Sequence, residues 1–83
     1  MTTPTMKLRS LRQVADAGVI RHVSLVSQQD GTWEMEIETG TKRVRLEVAR
    51  EKKARRFRSV DGALAIAQSL GVNKLEVDLT HVK

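Results

Sequence analysis

Trp33-Glu34-Met35-Glu36-Ile37-Glu38, Thr39-Gly40-Thr41-Lys42 and Arg43-Val44-Arg45-Leu46-Glu47-Val48 form one continuous stretch. Two runs of strict apolar/polar alternation flank a glycine-containing turn, the pattern of half-buried antiparallel strands. With Gly40 and Thr41 as a two-residue turn, Trp33 faces Val48, Met35 faces Leu46 and Ile37 faces Val44. All six apolar side chains then lie on one side. The other side sets Glu38 against Arg43 and Glu36 against Arg45, cross-strand pairs contributing roughly 0.2–1 kcal/mol each. A slip of one residue would turn the apolar set toward solvent, so the register is strongly specified.

Upstream, Val19 to Ser27 reads as a strand with Val19, Val23 and Leu25 on one side and Ile20, His22 and Val26 on the other. A three-residue loop, Gln29-Asp30-Gly31, joins it to the hairpin. That length sets Leu25 opposite Met35 and Val23 opposite Ile37, whereas a two-residue Asp30-Gly31 turn would set Leu25 against Glu36. Residues 1–5 are expected to be a flexible tail, and residues 6–83 a single domain. Met6 to Arg9 reads as a short strand and Ser10-Leu11-Arg12-Gln13 as a capping box, with Leu11, Val14 and Ala15 on the apolar face. One longer helix from Met6, adding Leu8 to that face, fits equally. Gly18 is placed to end either helix.

Downstream, Arg55 to Arg58 reads as a short strand with Phe57 inward, and Ser59 as the N-cap of a helix. Val60, Ala63, Leu64, Ala67 and Leu70 form that helix's apolar face, and Gly71 ends it. Lys74 to Leu79 is a last alternating strand. The predicted fold is α+β, an antiparallel sheet of four to five strands with two helices packed on one face. Leu8-Arg9-Ser10-Leu11, a helix and Gly18-Val19 echo Phe57-Arg58-Ser59-Val60, a longer helix and Gly71-Val72. Duplication and shared capping chemistry both account for the echo.

At 83 residues, the chain is expected to bury only about 60–65% of its unfolded surface. It has no cysteine, which excludes disulfide staples and thiolate metal cages and suits a reducing compartment. The opening residues lack the apolar run of a signal peptide, and nowhere is there an apolar run long enough to span a membrane. A cytoplasmic location without membrane association is therefore expected.

No catalytic constellation is present in the sequence, and no cofactor or metal is called for. His22 and His81 lack ligand spacing. Glu34, Glu36 and Glu38 read as a solvated charge ladder. Asp30 with Glu51-Lys52-Lys53 has the residue types of a metal-dependent nuclease, but Asp30 is required by the turn.

The formal charge is +5, and nine of the 15 Lys and Arg lie between Lys42 and Arg58. With Arg43 and Arg45 assigned to glutamates, the uncompensated segment is Arg50 to Arg58, six cations against Glu51. Two readings of this segment stand: a solvated connector that blunts a sheet edge, or a phosphate-contacting surface formed by Arg50, Lys52, Lys53, Arg55, Arg56 and Arg58. Lys7, Arg9 and Arg12 would add to the same field. Stacking on single-stranded bases is disfavoured, because Trp33 and Phe57 are the only aromatic residues and both are predicted inward.

Asp30-Gly31-Thr32-Trp33, Arg55-Arg56-Phe57-Arg58-Ser59, a short helix, Leu70-Gly71-Val72 and Leu75-Glu76-Val77-Asp78 together resemble the small ParC-type partition-associated proteins of bacterial plasmids. The resemblance spans residues 8–79 and rests on motif order. It implies a mobile-DNA context and an accessory, non-catalytic role of the plasmid partition or maintenance type; taken with the basic segment, the expected partner is double-stranded DNA or a partition-system protein. A self-association or protein-interaction module is the alternative, using Leu75 to Leu79 or Arg55 to Phe57 as an open sheet edge to recruit a second copy or another protein.

Overall fold

A computed structural model describes residues 3–48 and 50–82. It shows two helices on one face of a five-stranded sheet. The elements in chain order are β1 (Thr5–Met6), α1 (Leu8–Asp16), β2 (Ile20–Ser27), β3 (Trp33–Thr39), β4 (Arg43–Leu46), α2 (Val60–Ser69) and β5 (Glu76–Asp78). Their spatial order is β1-β4-β3-β2-β5.

The central meander carries the predicted register. Leu25 opposes Met35 and Val23 opposes Ile37, while Ile37 opposes Val44, Glu36 opposes Arg45 and Glu38 opposes Arg43. The β2–β3 connection is the expected three-residue loop: the Gln28 N–H donates to the Thr32 carbonyl at 2.8 Å, with Gly31 left-handed at φ 84°. At the Gly40-Thr41 turn the Thr39 N–H donates to the Lys42 carbonyl at 2.9 Å, and the Thr39 hydroxyl accepts the Lys42 N–H.

The sheet is mixed, not antiparallel throughout. β1 runs parallel to β4 at one edge and β5 runs parallel to β2 at the other. The physical reason lies in the helices: each leads from one strand to a parallel one, stepping over two intervening strands. Such crossovers cover one sheet face. Met35, Ile37, Leu25, Val23, Val44 and Leu46 on that face meet Leu11 of α1 and Ala63 and Ala67 of α2.

Several local expectations are corrected. Thr5, assigned to the tail, is a strand residue paired with Arg45, and the Arg45 N–H donates to the Pro4 carbonyl at 2.9 Å. α1 starts at Leu8, so Ser10 lies within the helix instead of capping it, and Leu8 joins the core as the longer-helix alternative required. Ser59 occupies the N-cap position of α2 but makes no side-chain capping bond. Leu64, predicted inward, is exposed, and Ile66 packs against the core in its place. A register shift between Ile20 and His22 turns Ile20 toward the core and leaves Val19 exposed; a bulge of this kind reverses the inside/outside alternation from that point.

The helices end alike. The Gly18 N–H donates to the Ala15 carbonyl and the Val19 N–H to Val14, as Gly71 does to Gln68 and Val72 to Ala67. Both glycines sit at positive φ, 74° and 78°, the Schellman arrangement that glycine adopts without steric cost. The helices span nine and ten residues, so the second is longer by a single residue.

Candidate nucleic-acid interface

The basic connector does not extend as a strand, and it is tied to the sheet at several points. The Val48 N–H donates to the Lys53 carbonyl at 2.9 Å, Arg55 to Leu46 at 2.7 Å, and Phe57 exchanges two 2.8 Å bonds with Trp33. Phe57 thus takes the place opposite Trp33 that was expected for Val48, because β4 pairs with β3 only between Glu36 and Glu38. Phe57 is 5% exposed, and the Arg55 guanidinium lies 4.9 Å from the ring centroid.

These anchors divide the six cations. Arg56 binds Asp30 at 2.6 Å and approaches Glu34 at 3.5 Å; Lys53 binds Glu51 at 2.8 Å. Lys52 and Lys53 line a shallow recess with Thr3, Pro4, Glu34 and Arg45. Arg50, Lys52, Arg55 and Arg58 are exposed and make no ion pair among the described residues. Lys7, Arg9 and Arg12 are likewise exposed.

Asp30 accepts the Thr32 hydroxyl at 2.6 Å and the Thr32 N–H at 3.0 Å. These bonds, with Arg56 beside them, hold its carboxyl below the ordinary value of 3.8. Because the folded value is the lower one, the contribution to stability is complete above that ordinary value and disappears as pH falls below it. Acid unfolding of Asp30→Asn should therefore diverge from the parent's in its pH slope only below about pH 4, a comparison that circular dichroism can make.

Topology determines where the remaining cations sit. β1 and β4 are parallel, so their C-terminal ends share one end of the sheet. From that end both helices start, α1 directly after β1 and α2 directly after Phe57. Neither helix N-terminus has a side-chain cap. Unbonded N–H groups and the positive ends of two helix dipoles therefore lie at the same end as the connector. The opposite end carries the two glycine caps, which line a common recess with Arg21, His22 and Lys74.

The uncovered sheet face has the opposite character. Glu34, Glu36 and Glu38 share it with Arg43, Arg45 and Glu47 of the β4 side and with Glu76 and Asp78 of β5. Arg45 bridges Glu34 at 2.8 Å and Glu36 at 3.4 Å, and Arg43 reaches Glu38 at 3.5 Å. Glu47 is buried and accepts the Thr5 hydroxyl at 2.7 Å. Six carboxylates share this face with Arg43, Arg45 and Arg56, and Lys52 and Lys53 border it at the Glu34–Arg45 recess, so its balance is only slightly acidic.

No family model, curated protein or solved structure matches this chain. The site must therefore be read from its own chemistry. Among the described residues, no group of three or more His, Asp or Glu could hold a metal ion. No helix among the described residues is long and apolar enough to cross a membrane. Asp30 lies with Arg56, and Glu51 with Lys53. The pairing of Arg56 with Asp30, 26 positions apart, had no local signal in the sequence.

Proposed function

We propose that this protein is a non-enzymatic accessory factor of the plasmid partition or maintenance type, and that it contacts DNA phosphates through Arg50, Lys52, Arg55 and Arg58. The observation that supports this reading is a local cluster. Arg50, Lys52, Arg55 and Arg58 are exposed, make no ion pair among the described residues and follow β4 at the end of the sheet where both helices start without a side-chain cap. The unpaired Arg21, Lys42 and Lys74, by contrast, are spread over the other end. A duplex would be drawn to the cluster. Arg56 and Lys53 act as supports for the connector, held by their carboxylates. The partition context comes from the resemblance in motif order, and the double-stranded DNA partner is consistent with Phe57 being buried in the core and Trp33 packing against it.

With four phosphates engaged, the logarithm of the binding constant should fall against log salt with a slope of about −3 to −4. Fluorescence anisotropy on a labelled duplex measures this. Arg55→Glu combined with Arg58→Glu should abolish binding while the fold persists, because both residues are exposed. An absence of binding at low salt would eliminate the proposal.

A second reading, pairing through a sheet edge, is favoured by one observation: β5 is outermost in the sheet, with Val77 and Leu79 exposed beside it. The other candidate edge, Arg55 to Phe57, already bonds to Leu46 and Trp33.

A further inference from the structure

β5 joins the sheet only through β2, pairing Ser24 with Glu76, Leu25 with Val77 and Val26 with Asp78. Its far side meets no other strand among the described residues. Natural edge strands are commonly blunted by shortness, charged side chains, proline or a bulge; β5 relies on its three-residue length and the like charges of Glu76 and Asp78, which repel a similar strand but not one of opposite charge. Val77, Leu79 and Val82 are 40%, 60% and 51% exposed, three of the five large apolar side chains that reach solvent among the described residues. On the other side of the strand stand Glu76 and Asp78. No lysine or arginine among the described residues pairs with Glu76; the His22 ring nitrogen lies 3.7 Å away, and the Glu76 side chain is 71% exposed. Asp78 accepts the N–H and the hydroxyl of Thr80, which turns the chain away after the strand. The His81 N–H then donates to the Ser27 hydroxyl at 2.9 Å, fixing the segment back against β2.

We infer that β5 is a docking edge for an extended segment of a partner protein in which lysine or arginine alternates with apolar residues. The segment would add a strand beside Glu76–Asp78, set its cations against the two carboxylates and lay its apolar side chains against Val77 and Leu79. Charge selects this occupant over a second copy. Two copies joined antiparallel about Val77 would place Glu76 of each opposite Asp78 of the other, a like-charge pairing twice over. This inference rests on the edge-pairing reading and specifies its partner; it is independent of DNA contact at the connector.

The probes are two labelled short peptides, one of alternating lysine and valine and one of alternating glutamate and valine. Binding is followed by anisotropy and located by amide chemical shifts. The lysine peptide should bind with shifts centred on residues 76–79. Glu76→Lys should weaken it roughly 3- to 10-fold and favour the glutamate peptide, and Glu76→Gln should fall between. Failure of both peptides to bind would remove the edge reading altogether. Equal binding of both at 76–79, or shifts centred on the Glu34–Glu38 ladder, would overturn only the charge assignment. Self-association through β5 in sedimentation would replace the basic partner with a second copy.

Discussion

Phe57→Ala should cost about 3–5 kcal/mol of folding free energy, measured as a lowered midpoint in urea denaturation. Phe57 is the one aromatic side chain fully committed to the core, and its backbone closes the start of β3 through two bonds to Trp33. Gly62 of α2 lies against the ring, since a Cβ built there would sit 3.7 Å from it. Removal leaves a cavity between sheet and helix that a backbone held at Trp33 cannot close. A domain of this size has on the order of 4–12 kcal/mol in total, so the variant should be close to unfolded. Arg55→Ala, which removes only the stacked guanidinium, should cost about 0.5–1 kcal/mol. An equal loss in the two variants would mean that the ring is not anchored as described.

Arg45→Ala should cost about 2–3 kcal/mol. Its side chain is 17% exposed and lies between Glu34 and Glu36, which are 11% and 22% exposed. Removing one member of a well-buried ion pair costs about 3–5 kcal/mol because the remaining charge is stranded. Arg56 still reaches Glu34 at 3.5 Å, and solvent reaches Glu36, so the loss here is smaller. Arg45→Met retains the apolar stem and separates packing from charge. Combining it with Glu36→Gln should recover part of the stability, because the stranded carboxylate is gone. No recovery in denaturant melts would show that the bridge holds the sheet through packing alone.

The same carboxylates bear on the proposed function. The three-glutamate ladder pairs with Arg43, Arg45 and Arg56, which leaves Arg50, Lys52, Arg55 and Arg58 of the connector without a carboxylate partner among the described residues. A protein with a net charge of +5 can therefore present a slightly acidic sheet face and a basic connector. Overall charge alone would not locate either.

The sequence by itself determined the meander from Val23 to Leu46: alternation has a period of two, so a one-residue slip from Leu25–Met35 and Ile37–Val44 would put glutamates in the core, and the turn lengths select among the remaining registers. It also determined where both helices end, because Gly18 and Gly71 carry local backbone chemistry. The tertiary structure alone decided the parallel edges β1 and β5, the bulge near Arg21, the seating of Phe57 opposite Trp33 and the capture of Arg56 by Asp30 and Glu34. Each of these joins residues far apart in the chain or depends on how the sheet twists and closes, and hydrophobic periodicity holds no information about which distant neighbour a residue will meet.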